Sequence, residues 1–164
     1  LRLDTDNGKM VQKNGRWYLT GARTGKARVT LLDGEKEAGQ TEFRIREIPE
    51  PEAAIRYTLQ GKSYWYKGRT PIRREYLAAM DALEVAYSGE NGKIPFTVVR
   101  FSTLFIGQDK NVTTLESKGK KFSPQQAEHI RKLNKGDKFY LTSILVKAPD
   151  GTTREVQPMD IIIL

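Results

Sequence analysis

The side chains of this chain best equipped for chemistry are few. His129 is the single histidine in 164 residues and there is no cysteine, so a Cys-His nucleophile cannot be built and a zinc site lacks its usual donors. His129 falls within a stretch that reads as a helix, where it is expected to face solvent with no catalytic part. No G-x-S-x-G elbow supports a Ser-His-Asp arrangement. Gly21 to Gly25 and Gly34 to Gly39 lack the spacing, and the following helix, of a phosphate-cradling loop. Glu50 and Glu52 sit in a proline-flanked connector and read as a charged linker. Neither catalysis nor a bound cofactor or metal is expected.

Recognition is better supplied. Arg56, Lys62, Lys67, Arg69, Arg73 and Arg74 interleave with Tyr57, Tyr64, Trp65 and Tyr66, a mixture that suits a stacking platform for single-stranded nucleic acid of the kind small β barrels offer. The same Trp65 and Tyr66, laid flat on a β-sandwich, would suit a carbohydrate. Against both stands a half-buried hairpin beside a solvated charged face. The hairpin is favoured, because aromatic residues suit strands and positive charge is spread along the chain, so no nucleic acid is expected. Lys and Arg total 28 against 20 Asp and Glu, a net charge of +8. That balance favours an anionic surface or an acidic protein as partner without choosing between them.

The elements that must position these residues are mostly strands. Phe43, Ile45 and Ile48 alternate with charged neighbours and run into Pro49-Glu50-Pro51, where missing N–H groups stop a ladder. This connector reads as a hinge between two β modules. Upstream, residues 1–48 hold four or five short strands, with Asp6-Asn7-Gly8 and Asp33-Gly34 as turns and Asn14-Gly15 joining Lys9 to Lys13 with Arg16 to Thr20 as a hairpin. Such a module resembles part of an immunoglobulin-like sandwich, which needs about seven strands.

Downstream, residues 49–164 read as a second β-rich module with two short helices. Ala53 to Leu59 and Ser63 to Tyr66 flank a Gln60-Gly61-Lys62 turn. Thr70 as cap and Pro71 in the first helical position predict a helix whose face carries Ile72, Tyr76, Leu77 and Met80. Leu83 to Tyr87 alternates, Ser88 to Lys93 reads as a turn, and Ile94 to Ile106 is the most strand-like run. Val112 to Leu115 pairs back on it, and Lys118 to Lys121 reads as a solvated basic loop. Ser123, Pro124 and Gln126 form a capping-box start for a helix buried through Ala127, Ile130 and Leu133, with Gly136 as its stop. Lys138 to Lys147 and Arg154 to Leu164 flank Pro149-Asp150-Gly151 as a long hairpin. The apolar end, Ile161 to Leu164, predicts burial on both faces or a covered interface.

A chain of this length can bury about two-thirds of its unfolded surface, and its 38% hydrophobic and 29% charged residues describe a folded, turn-rich protein. No apolar run is long enough to cross a bilayer. The chain opens at Leu1 without methionine or a signal-like region, so its start is expected to lie upstream or to have been removed.

Two stretches carry a resemblance. The string FRIREIPEPEAAI is similar to the F-R-V-K-x-I-P-x-P-x-A segment joining the last two periplasmic domains of the GldM family, also called PorM, of the gliding-motility and type IX secretion machinery. Phe122 to Gln126, Ile130 to Asp137 and Ala148 to Arg154 resemble, in order, the same family's C-terminal helix, its L-x-x-G-D turn and its P-D-G-T-x-R hairpin. The likeness covers roughly residues 8 to 164, and the upstream strands of the family's first matching domain are missing from it. It implies a homodimeric periplasmic shaft, part of a protein anchored in the inner membrane by a segment upstream of Leu1 that would also meet the motor partner. Residues 50–164 would then be the distal domain that meets the outer-membrane-associated ring proteins. Tyr64, Trp65, Tyr66, Ile161 and Ile163 are the expected partner contacts.

Overall fold

The computed structural model describes residues 1–89 and 92–164, and the turn expected over Ser88 to Lys93 falls in part on Glu90 and Asn91, outside the described residues. The chain is mainly β, with thirteen strands and two short helices among the described residues. It divides into two compact units, Leu1–Pro49 and Glu50–Leu164.

The first unit holds β1 (Arg2–Thr5), β2 (Lys9–Lys13), β3 (Arg16–Thr20), β4 (Gly25–Asp33) and β5 (Lys36–Ile45). β1, β4 and β5 form an antiparallel sheet with β4 in the centre, while β2 and β3 pair only with each other. Asn14 and Gly15 both take positive φ, 51° and 74°, the geometry that matches a two-residue turn to the twist of its strands. Glycine is required at Gly8, where φ is 89° and a Cβ would stand 2.6 Å from the Thr20 carbonyl oxygen. The Asn7 amide staples the loop before β4. It donates to the carbonyls of Arg23 and Lys26 and accepts from the Arg23 N–H at 2.8 Å. Alternation along β4 turns Ala27 and Val29 inward, and these are the buried apolar side chains of the unit.

The second unit is built on two long neighbours, β9 (Gly92–Ile106) and β11 (Lys138–Lys147). The first half of β9 pairs with β8 (Met80–Gly89) and the second half with β10 (Val112–Lys118). In the same way β11 pairs first with β13 (Met159–Ile162) and then with β12 (Thr153–Val156). Beyond β8 lie β6 (Glu52–Leu59) and then β7 (Lys62–Tyr66) at the margin. The β9–β11 register slips by one residue between Thr142 and Leu145 and slips back between Leu145 and Val146. The first slip leaves an extra residue on β11 and the second one on β9, and each shifts the inward phase of the strand that carries it by one. Phe139 and Leu141 are therefore buried before the irregularity, and Ile144 and Val146 after it, with Ser143 between them at φ 49°. The irregularity thus keeps Phe139, Leu141, Ile144 and Val146 turned to the core along the whole of β11.

The second helix, α2 (Pro124–Arg131), starts as the sequence dictates. Ser123 Oγ accepts from the Gln126 N–H at 3.1 Å, and Gln126 Oε1 accepts from the Ser123 N–H at 2.9 Å. It ends at Arg131 with Lys132 as cap, so Gly136 is not its stop; Gly136 instead donates its N–H to the Ile163 carbonyl at 2.8 Å. The first helix differs more. It is a single turn, α1 (Arg74–Ala78), that begins after Arg73 with no side-chain cap. Thr70-Pro71 does not start it, because Ile72 is drawn into strand-like pairing: its N–H reaches the Ile162 carbonyl and its own carbonyl accepts from Leu164, both at 2.9 Å. Met80, expected on the helix, opens β8.

The basic run Lys118 to Lys121 is likewise more than a solvated loop. Its Lys120 carbonyl accepts from the N–H of fully buried Leu83, and Lys121 bridges Ala82. At the chain end burial alternates, with Ile161 and Ile163 inside, Ile162 half-buried and Leu164 exposed. One face is covered, not two.

Candidate partner-binding surface

The basic and aromatic residues come together on the β6–β7 hairpin at one margin of the second unit. Its turn, Gln60 at φ 50° and Gly61 at φ 77°, repeats the two-residue geometry of the first hairpin. Alternation then sorts the side chains onto two faces. Arg56 and Thr58 of β6 share one face with Ser63 and Trp65 of β7, while Tyr57 shares the other with Tyr64.

The first face is a lattice of charge. Arg56 Nη1 donates to Glu84 Oε1 at 2.9 Å, and Trp65 Nε1 donates to Glu84 Oε2 at 2.7 Å. Thr58 Oγ1 donates to Asp81 Oδ2 at 2.6 Å, which also lies 3.6 Å from Arg56 Nε. Glu52 pairs with Lys67 at 3.2 Å and with Arg69 at 3.8 Å. Glu52 is accordingly the first residue of β6 and an ion-pair partner, not a linker charge. A shallow trough of about 420 Å³ lies on this face, floored by Ala54 and Ala86 and bounded by Trp65, Tyr87, Glu52 and Lys67. Trp65 is half-exposed, at 51%, yet its indole is held by Glu84. A ring so fixed loses little freedom when something lies on it.

The second face is an aromatic stack. Tyr57 lies between Tyr64, at 5.4 Å and 18°, and Tyr76 of α1, at 5.3 Å and 8°. Burial, and then the neighbouring phenols, push the Tyr57 hydroxyl above its ordinary range. The stack closes at Tyr76 and opens at Tyr64, which is exposed.

Of the expected contacts, Tyr64 and Trp65 are surface residues. Tyr66, Ile161 and Ile163 are not: all three are buried in the core of the unit. Tyr66 turns inward because it sits at the opposite phase to Trp65, and its hydroxyl donates to the Thr70 carbonyl at 2.5 Å. Burial, and next the charge of Asp160, raise its pKa. Ile161 faces Phe139 across β13 and β11. In the connector, Pro49 and Glu50 are exposed while Pro51 is buried at the entry to β6.

The arrangement can bind but offers little to catalyse. Glu84 and Glu52 are engaged by cations, so neither is a poised base. His129 is half-buried instead of freely exposed; its ring stacks on Phe105 with centroids 4.0 Å apart, and no hydrogen bond to its side chain is formed among the described residues. No group of three or more His, Asp or Glu that could hold a metal occurs among the described residues. Part of the basic and aromatic set is engaged within the unit. Arg56 is paired with Asp81 and Glu84, Lys67 and Arg69 share Glu52, and Tyr57 stacks with two tyrosines. Glu84 as the anchor of Trp65 was not legible in the sequence, since the contact spans nineteen residues and follows from strand order alone.

Among the described residues no helix is long and apolar enough to cross a membrane. Residues 49–164, well over half of the chain, match the family model of the GldM C-terminal domain. No curated protein matches the chain.

Proposed function

The chain belongs to the GldM family, and from that membership we propose that its second unit is a non-enzymatic coupling module of the gliding and type IX secretion machinery. In this reading it is the distal part of a periplasmic, homodimeric shaft belonging to an inner-membrane-anchored protein. It meets outer-membrane-associated ring proteins and passes on force from the motor. The observation that carries the reading is the family match over residues 49–164. The ion-paired lattice and the exposed Tyr64 and Trp65 support it, because they suit a stiff binding surface with no free catalytic group. The first unit is read as an immunoglobulin-like module short of strands. Pro49, Glu50 and Pro51 are read as the hinge, with Pro49 its working residue because Pro51 is buried in the second unit.

The test is capture of envelope proteins by the tagged 164-residue chain, washed at low and high salt and read by mass spectrometry. Recovery of outer-membrane ring proteins is the expected result, and loss at high salt would give the +8 charge a part in it. Recovery of nucleic acid with its usual binders, or of glycan alone, would overturn the reading. For the hinge, Pro49→Gly is expected to leave both units folded and to broaden the solution scattering profile. An unchanged profile would remove the hinge from the reading.

A further inference from the structure

Among the described residues the margin strand β7 pairs with β6 alone, which leaves its outer edge without a strand. The Thr58 N–H points away from β7, donating to the Ala79 carbonyl on the β8 side at 3.2 Å. The β6–β7 register runs without a slip from Ile55 to Leu59, so the alternation of an antiparallel ladder carries that direction across. Leu59 with Lys62, Tyr57 with Tyr64 and Ile55 with Tyr66 exchange the ladder bonds. The N–H and C=O groups of Ser63 and Trp65 therefore point outward, away from the sheet. Lys62, Ser63, Tyr64 and Trp65 are all exposed.

Other margins of this unit are guarded more heavily than this one. The margin beyond β11 is split into two strands of four residues, β12 and β13, with Gln157 and Pro158 between them. On β10 the Leu115 carbonyl is taken by Gln126 Nε2 at 3.0 Å. Among the described residues β7 has no proline, no bulge and no covering helix, and of the usual devices against strand addition it keeps its short length and Lys62.

We propose that β7 is a docking edge for an extended segment of a partner protein, which adds to the sheet as a further strand next to Ser63 and Trp65. The proposal deepens the partner contact assigned to Tyr64 and Trp65 and rests on that reading. The edge also specifies the segment. Tyr64 would face it at a position without ladder bonds, where cross-strand side chains approach most closely. Tyr64 is also the open end of the Tyr76–Tyr57–Tyr64 stack, so an aromatic residue opposite it continues the stack. Lys62 lies two residues away on the same face, exposed and in no ion pair among the described residues, and it calls for a carboxylate. The segment therefore carries an aromatic residue and an acid two positions apart, with its intervening side chain opposite Ser63 on the face that also carries Trp65.

The test uses the whole 164-residue chain, labelled for amide exchange, and an extended peptide of about seven residues with phenylalanine and aspartate two positions apart. The expected result is saturable binding that slows exchange at the Ser63 and Trp65 amides. Ser63→Pro removes one outward N–H and no internal ladder bond, and of side-chain bonds only the long, exposed one between the Ser63 and Thr58 hydroxyls at 3.4 Å, so it should lower the unfolding temperature little and weaken binding about tenfold. Tyr64→Ala, or alanine in place of the peptide's phenylalanine, should weaken it about threefold to tenfold. Absence of binding, or equal binding by Ser63→Pro, overturns the proposal. Protection of the same amides by self-association without peptide also overturns it, by making a second copy the occupant. Failure with the peptide alongside successful capture of ring proteins sinks the edge and leaves the coupling role standing.

Discussion

The two units contrast in what holds them. In Leu1–Pro49 the buried apolar side chains are Ala27 and Val29, while Trp17, Tyr18 and Phe43 remain between 36% and 50% exposed. In Glu50–Leu164 the core includes Phe101, Phe139, Leu77, Leu83, Leu141, Ile144 and Ile161, each almost wholly out of water. Both units have regular strands and tight turns of the same chemistry. Local signals are therefore enough to set strands and hairpins, but burial per residue decides which unit can stand alone. The second unit holds the larger apolar core. The first depends far more on its turns and on staples such as the Asn7 amide.

The sharpest test of that contrast is Phe139→Ala. Phe139 is fully buried and stacks on Phe105 at 5.4 Å, so truncation should cost about 3–5 kcal/mol and lower the melting temperature of the second unit strongly. A loss below about 1 kcal/mol, a typical surface effect, would mean that the core is not where the stability lies. Gln126→Leu comes next. Its side chain is wholly buried and satisfies both the Leu115 carbonyl and the Ser123 N–H, and removing it strips the Ser123 N–H of this acceptor and leaves the Leu115 carbonyl with the longer bond from the Thr103 hydroxyl at 3.3 Å. Chemical denaturation should show a cost of about 2 kcal/mol. In the first unit, Phe43→Ala should cost less than about 1 kcal/mol because half of the ring is already in water. If it matched Phe139→Ala in size, the contrast between the units would be broken.

Much of this fold was legible in the sequence, and the failures share a cause. Asn14-Gly15, Gln60-Gly61 and the Ser123–Gln126 capping box were readable because a few adjacent residues decide them. Asp150 is of the same kind, accepting from the Thr152 N–H at 3.0 Å and from its hydroxyl. Thr70-Pro71 misled because the bond from Ile72 to Ile162 joins residues ninety positions apart, and that pairing outweighs a local cap. Ile161 and Ile163 misled because a continuous apolar run does not reveal which positions alternate inward once it is laid against β11. The same holds for the surface. Composition located the aromatic hairpin, but only the strand order shows that Glu84 pins Trp65, that Tyr66 is core, and that β7 is a margin.

The smallest expected effect is one of pH, and it belongs to the second unit. Tyr57 and Tyr66 have hydroxyls raised above the ordinary value of 10.0, in both cases first by burial. Neighbouring tyrosines add to the shift at Tyr57 and Asp160 adds to it at Tyr66. The folded state therefore holds these protons more tightly than the unfolded chain. Below pH 10.0 both states are protonated and their stabilising contribution is intact. As pH rises past that value the unfolded chain releases protons first, and stability must fall until the folded hydroxyls ionise as well. Denaturation monitored by amide exchange in the second unit should show this alkaline decline, and Tyr66→Phe should flatten it even while losing the bond to the Thr70 carbonyl. An unaltered slope in Tyr66→Phe would mean that the buried hydroxyl does not hold its proton through burial. The inward phase of β7, which separates Tyr66 from the exposed Trp65 beside it, would then need to be redrawn.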